Sequence, residues 1–427
     1  MRLLKSFSLY TIVGFLGAGI NFLLMPLLSH HLTPEDYGLS SIINTYVSLL
    51  SPLVSLVAYG IISVDYYKIT DKIEFASLFS SVQIIPVLPT LFLLLASVSF
   101  YHQLAPLLEL PPGEIWVGVV IFLLSLFIIY IETANAYLVI AKKTKWYALF
   151  TIARVLCEAA LTVWLVVFLK KGWQGRILSW AITSLLFAIV SFGIFYKEKL
   201  LTLNIKKQYI YAGLAYGAPL ISHTIGKFII NQSDRIFIAK MVSLGEAGIY
   251  NIGYTIGMVL MLLVTAFNNV FLPYLMECLV NINEEKKLQI VRLSYIFILA
   301  MLGALLCINL FSPFLFSILI DKRYAQGASY VFWVSLGYVF WGGYLLFSGY
   351  IYFYKQTKIL FWLSLVNIIS NLVFNYVFIK HYGGIGAAYA TALSFFIVFI
   401  SVVYKSGQLI KLPWSRGLKS LLRFAKQ

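Results

Sequence analysis

The sequence predicts an all-α polytopic membrane protein, with about twelve transmembrane helices in two six-helix lobes. Three observations carry that prediction. Hydrophobic residues make up 61% of the 427 positions and charged residues only 11%, far below the roughly 25% charged residues of a water-soluble domain. The apolar residues come in blocks of about 20, long enough to cross a hydrocarbon core of roughly 30 Å as helices. Similar turn signals recur six blocks apart. Backbone groups in lipid must bond internally, so such blocks mean helices. Barrel strands would alternate over about ten residues, and no such pattern is present.

The blocks cover residues 8–30, 40–64, 77–100, 115–140, 147–169, 176–196, 210–239, 248–273, 291–320, 328–353, 358–379 and 385–404. This order predicts an N-terminal lobe over 1–200, a C-terminal lobe over 201–405 and a basic amphipathic tail over 406–427. Met1-Arg2-Leu3-Leu4-Lys5 runs into the first block with no small-residue cleavage site, so that block reads as an uncleaved span. The net charge of +16 sits mainly in short loops, which points to topology and not to nucleic acid. One set of alternate loops, with both termini, carries 22 Lys and Arg, and the opposite set carries 7. The positive-inside rule then makes both termini cytoplasmic. The loop with Lys170, Lys171 and Arg176 runs against that rule.

The halves repeat each other. Asp36 in Pro34-Glu35-Asp36-Tyr37-Gly38 and Glu246 in Leu244-Gly245-Glu246-Ala247-Gly248 lie 210 positions apart. Lys142-Lys143-Thr144-Lys145 and Lys355-Gln356-Thr357-Lys358 lie 213 apart, and Gly172-x-x-Gly175 and Gly383-x-x-Gly386 lie 211 apart. Six spans separate equivalent elements, so the repeats share one orientation, with a pseudo-twofold axis along the membrane normal and substrate expected between the lobes.

A charge at the bilayer centre costs about 2.5–3.5 kcal/mol on insertion scales and should face a cavity or a partner. Glu132 and Arg154 are expected at similar depth, and Glu158 follows Arg154 by one turn, which predicts a Glu132/Arg154/Glu158 cluster. It serves either as a structural pair or in transport. In the seventh block His223, Lys227 and Asp234 share a face, and Arg235 points elsewhere. Arg235 near an interface would snorkel. Pro219 predicts a kink or an interruption, a hinge near the middle of that helix. His223 is a proton carrier or a plain hydrogen bonder. Asn367, Asn371 and Asn375 form one stripe, and the 213 offset pairs Asn367 with Arg154 and Asn371 with Glu158. After the last span, Trp414, Leu418, Leu421, Leu422 and Ala425 face away from Arg416, Lys419, Arg423 and Lys426, as in an interfacial helix on anionic lipid.

Cys157, Cys278 and Cys307 have neither metal-ligand spacing nor a disulfide framework. No nucleotide loop, metal cluster or nucleophile with a base is visible. The expectation is a transporter, not an enzyme, with no cofactor and no metal.

Two segments go further. Tyr216-Gly217-Ala218-Pro219-Leu220-Ile221, with Asn231-Gln232-Ser233-Asp234-Arg235-Ile236-Phe237-Ile238, resembles the seventh-span signature of Wzx-type polysaccharide flippases. The Asn367…Asn371…Asn375 stripe with Gly383-x-x-Gly386-Ala387-Ala388-x-Ala390-Thr391 resembles their eleventh-to-twelfth-span signature, and Thr33-Pro34-Glu35-Asp36-Tyr37-Gly38 fits their first external loop. These belong to the polysaccharide branch of the multidrug/oligosaccharidyl-lipid/polysaccharide exporter superfamily. The resemblance implies a MATE-like fold in a bacterial cytoplasmic (inner) membrane. It implies transfer of undecaprenyl-pyrophosphate-linked oligosaccharide repeat units, as for O-antigen or capsule, to the periplasmic leaflet, coupled to an ion. The implied partners are the lipid-linked oligosaccharide, membrane lipids and glycan polymerases. Substrate contacts are expected from Arg154, Lys227, Arg235, Asn367, Asn371 and Asn375, and ion coupling from Glu158, Asp234, Glu132 or His223. Family members carry a cationic cavity. Here three intramembrane cations face three carboxylates, so pairing has to leave Lys227 or Arg154 for the anion. The alternatives are a multidrug/cation exporter of the same fold, which needs an acidic aromatic cavity, and a membrane-embedded glycan polymerase, which carries a large external loop.

Overall fold

Helices that face lipid are apolar all round, so turn chemistry and length set the elements more than amphipathic periodicity does. The computed structural model describes residues 2–417, and every apolar block is mainly helical, some in two pieces. Leu418, Lys419, Leu421, Leu422, Arg423, Ala425 and Lys426 of the expected tail stripe lie outside the described residues. Nine runs among the described residues are long and apolar enough to cross a membrane. The chain is an all-α, multi-pass membrane protein. Its Cα packing forms two compact units, Met1–Phe228 and Ile229–Gln427.

The first unit contains α1 (Arg2–His31), α2 (Pro34–Ser55), α3 (Gly60–Asp65), α4 (Lys72–Ile84), α5 (Val87–Ser99), α6 (Tyr101–Leu107), α7 (Ile115–Ile140), α8 (Thr144–Thr162) and α9 (Gly172–Lys197). α8 is extended by a π-helical turn, Val163–Phe168. α10 (Lys207–Met241) begins in this unit and continues into the next.

α2 starts at a capping box. The Thr33 side chain accepts from the Asp36 N–H, and the Asp36 carboxylate accepts from the Thr33 N–H. Two orphan donors are thereby satisfied. The helix stops at Leu56 and Val57, whose φ values are +48° and +52°. Few non-glycine residues adopt that left-handed region. The expected span 40–64 is therefore two pieces, α2 and α3. The span 77–100 also breaks, at Ile85-Pro86, where proline cannot donate to the preceding turn.

By contrast, α10 runs unbroken through Pro219, so of the expected kink or interruption the interruption does not occur. The Ser222 and Thr224 hydroxyls bond the carbonyls of Pro219 and Leu220. Gly217, two residues earlier, has a clear steric role. A Cβ there would lie 2.0 Å from the Leu56 carbonyl oxygen, so only glycine lets α10 lie against the broken α2–α3 segment.

The core of this unit is aromatic. Phe79 meets Phe195 edge-to-face with ring centroids 4.8 Å apart, and Tyr137 at 6.2 Å. Leu24, Leu28, Leu32 and Val166 form a second buried patch between α1 and the π turn.

The second unit contains α11 (Leu244–Gly257), α12 (Val259–Val280), α13 (Glu284–Ile318), a 3-10 turn (Lys322–Gly327), α14 (Ala328–Phe353), α15 (Thr357–Tyr382) and α16 (Ile385–Leu409). α14 packs on α16 and α12, and α15 packs on α16. Buried Ala387, Ala388, Ala390 and Thr391 supply the small surface that lets α16 approach its neighbours. On α13, Leu306, Leu310 and Phe311 are largely exposed, as lipid-facing side chains are.

The repeat is visible in the turns. Lys142 and Lys355 both have φ +57°. The following amides reach back alike, Lys143 N–H to Leu138 C=O at 2.8 Å and Gln356 N–H to Ile351 C=O at 3.0 Å. Ser243 caps α11 by accepting from the Glu246 N–H, as Thr33 caps α2. A Cβ on Gly172 would meet the Asp36 carboxylate, and one on Gly384 would meet that of Glu246. In each unit, an acidic residue in a first helical turn lies beside a glycine turn that opens a later helix, α9 in the first and α16 in the second.

Candidate functional site

Glu132 lies eight residues before the end of α7 and Arg154 ten residues after the start of α8. At 1.5 Å per residue they sit about 12 and 15 Å from those helix ends. Arg154 is the opposite charge that acts on Glu132. Tyr59, beside the α2–α3 break, also feels the Glu132 charge. Glu132 is exposed and Arg154 half-buried. The Arg154 Nε is buried and has no hydrogen-bond partner among the described residues. Nearby, the Thr151 hydroxyl donates to Asn135 Oδ1 at 3.4 Å.

Glu158 does not complete the expected three-residue cluster. It pairs with Arg176 of α9 at 3.7 Å and accepts from the Trp180 indole N–H at 2.9 Å. The Arg176 guanidinium stacks 4.6 Å from the Trp180 ring and donates to Thr162 Oγ1 at 2.6 Å. The physical reason is a competing set of partners on the packed neighbour α9, Arg176 and Trp180 together. Arg154 is on the same helix as Glu158, whereas Arg176 arrives from a packed neighbour and can meet it side on. The pairing also accounts for one cation in the loop that runs against the charge rule.

His223 and Lys227 are exposed on α10 in the first unit. Asp234 lies two turns on and is 3% exposed, so the face it was expected to share with them changes environment along the helix.

In the second unit Arg235 is 5% exposed, which corrects the snorkelling expectation. Its guanidinium bonds Asp234 Oδ1 at 2.9 Å, Asn251 Oδ1 at 3.0 Å and the Asn231 carbonyl at 3.0 Å. The Tyr254 ring lies 4.4 Å from it. Tyr250 donates to the second Asp234 oxygen, and the Tyr254 and Tyr338 hydroxyls are 2.7 Å apart. A buried pair persists when geometry and further hydrogen bonds offset desolvation, and this one has both. Arg235 is thus committed to protein partners instead of standing ready for substrate. Sequence reading missed Asn251, Tyr250, Tyr254 and Tyr338, although the i, i+4 spacing of Tyr250 and Tyr254 hinted at a shared face.

Asn367, Asn371 and Asn375 are all buried on the face of α15 that packs on α16. Asn375 Nδ2 donates to Asn371 Oδ1 at 3.0 Å. Asn367 Oδ1, Asn371 Nδ2 and Asn375 Oδ1 lack partners among the described residues, as do Thr391 Oγ1 and Ser394 Oγ on α16. The stripe is a helix–helix seam, not an open wall. Among the described residues no group of three His, Cys, Asp or Glu could hold a metal ion.

A family model described as polysaccharide biosynthesis protein matches residues 3–279. An uncharacterized membrane protein of Haemophilus influenzae is 26% identical over 291 residues, 65% of this chain and 66% of its own length. A protein of the same organism named for the Lsg locus is 25% identical over 388 residues, 88% of this chain and 90% of its own. Among solved structures, the lipid II flippase MurJ in an inward closed conformation superposes with TM-score 0.72 at 17% identity, covering 97% of this chain and 90% of that one. An inward-facing multidrug resistance MATE family transporter of the MOP superfamily superposes with TM-score 0.67 at 13% identity, covering 93% and 95%. At these identities the likeness shows the MATE-like fold.

Proposed function

Since the chain belongs to the polysaccharide biosynthesis protein family, we propose that it is a Wzx-type flippase and not an enzyme. Its substrate is an undecaprenyl-pyrophosphate-linked oligosaccharide repeat unit, carried from the cytoplasmic to the periplasmic leaflet of the inner membrane, with both termini cytoplasmic. The lipid II flippase with the same fold supports a lipid-linked glycan as cargo. A glycan polymerase is the partner that would consume the product.

One observation carries the reading. Arg154 lies inside a membrane helix with a buried, unpartnered Nε among the described residues, and the carboxylate acting on it, Glu132, has an exposed side chain on the neighbouring membrane helix. A planar guanidinium suits a diphosphate, because it donates in parallel to two oxygens. Glu132 is the group whose protonation would release Arg154 to the anion, which links proton entry to cargo. Glu158 and Asp234 are less suited, since each is held by its own arginine. Hydroxyl-rich sugars crossing hydrocarbon cost several kcal/mol for each unsatisfied polar group, so a polar lining has to replace water along the path.

The test is complementation of a strain lacking the gene, with lipid-linked repeat units assayed in each leaflet. Arg154→Ala is expected to cut export by about tenfold or more, since one hydrogen bond to a charged group is worth about 1.5–3 kcal/mol, with cargo accumulating in the cytoplasmic leaflet. Full export by that variant sinks the charge assignment. Export that survives collapse of the proton gradient sinks the coupling.

A further inference from the structure

Three loops far apart in sequence meet at one end of the first unit. They are the segment after α3, the α7–α8 turn and the segment after α9. They enclose a cavity of about 970 Å³. The charged residues lining it are Lys72, Lys143, Lys197, Lys199 and Glu198, four cations against one anion. Glu198 is already engaged, since Lys143 forms an ion pair with it and the Tyr137 hydroxyl donates to it at 3.0 Å. Burial pushes the Glu198 carboxyl up, but the Lys143 and Tyr137 hydrogen bonds and the Lys143 and Lys197 charges outweigh this and hold it below the usual carboxylate range. It stays ionised and neutralises one lysine. Lys72, Lys197 and Lys199 remain exposed, and among the described residues neither Lys72 nor Lys199 has a carboxylate within ion-pair distance. Lys199 holds a left-handed backbone turn with φ +56°, which fixes where its stem leaves the chain.

The rim is apolar and aromatic. Tyr67 is 63% exposed and Ile73 74% exposed, and both line the cavity. Tyrosine at the end of a membrane helix sits at headgroup level. A cationic pocket beside exposed apolar side chains fits an amphiphile better than a free ion.

We propose that this pocket binds the phosphate group of a lipid headgroup, through Lys72, Lys197 and Lys199, independently of the export site at Arg154. Phosphate offers oxygens to several ammonium donors at once. The lipid tail would lie along Ile73 while the headgroup enters between the loops. Two lipids share this chemistry, an anionic phospholipid and the diphosphate-linked carrier.

The test uses the full chain in nanodiscs and native mass spectrometry of retained lipid. The probes are phosphatidylglycerol, undecaprenyl diphosphate and, as a zwitterionic control whose phosphate is neutralised by its own choline cation, phosphatidylcholine. Wild type should retain one or both of the first two over phosphatidylcholine. The variant K72Q/K197Q/K199Q should lose about a hundredfold in affinity, at about 1 kcal/mol for each lysine near a membrane surface. Glu198→Gln releases Lys143 and should tighten binding by about fivefold. Preference for phosphatidylglycerol identifies bulk lipid as the source, and preference for undecaprenyl diphosphate identifies the carrier. Equal retention of all three lipids, or triple-variant binding like wild type at unchanged thermal stability, overturns the proposal. Export assays are not involved, so failure here and failure of the flippase reading are separate results.

Discussion

At positions related by the repeat, the first unit carries Arg154 and Glu158 on α8, and the second carries Asn367 and Asn371 on α15. The turns that lead into these two helices are nearly superimposable in their backbone bonds. What differs is how polar groups inside the membrane are used. In the first unit, the Glu132 side chain is exposed and the Arg154 Nε is unpartnered among the described residues. In the second, Asp234 and Arg235 close on each other with Asn251 and Tyr250, and the amide stripe is sealed against α16. The same scaffold thus carries an exposed carboxylate beside a half-buried arginine in one copy and a buried, hydrogen-bonded ion pair in the other. A charge left open in lipid is costly and needs a use. A closed pair costs less and contributes register.

The largest effect that would sharpen this contrast lies in the second unit. Arg235→Ala strands Asp234 in a buried site and is expected to destabilise the protein by about 3–5 kcal/mol. Thermal unfolding in detergent measures it. Arg154→Ala, by comparison, should unfold at nearly the wild-type temperature while export fails. If Arg235→Ala instead keeps its stability and loses only export, Arg235 belongs to the transport path and the contrast is broken.

Much of this was legible beforehand. Composition and block length are enough for the helices, because lipid admits little else. The repeat could be read from three loops, because turn residues are chosen by local backbone geometry, as the shared φ of Lys142 and Lys355 illustrates. Partner choice was not legible. Arg154 and Glu158 are one turn apart in sequence, yet Glu158 is claimed by Arg176 from α9, and nothing in a single helix records which neighbour packs on it. The break in the second span was also hidden. Leu56 and Val57 are poor candidates for a left-handed turn, and the residue that lets α10 pack against it, Gly217, lies 160 positions away.

A smaller effect is expected in the amide stripe. Asn371→Ala removes the bond that Asn375 makes one turn along the same helix, and a typical intramolecular hydrogen bond contributes about 1 kcal/mol net. A loss of several kcal/mol in thermal or denaturant unfolding would mean that the seam holds the second unit together more strongly than the closed Asp234–Arg235 pair implies.

The smallest expected effect is pH-dependent and separates the two α-hairpin turns that otherwise match. In the first unit Lys143 and Tyr137 hold the ionised Glu198. In the second unit the repeat puts Gln356 where Lys143 stands, so the charged latch has no counterpart. Because the Glu198 carboxyl titrates below its usual range when folded, its contribution is complete above the unfolded value of about 4.3. It disappears as pH falls through the folded value. The difference in unfolding temperature between wild type and Glu198→Gln should therefore be constant from pH 7 down to about 5 and shrink below about 4. The latch is partly exposed and screened, so the difference should be a small one. A gap that widens on acidification has the wrong sign for a depressed carboxylate and would remove Glu198 as the ionised partner of Lys143. With it would go the reason that only three of the four pocket lysines are counted as open to phosphate.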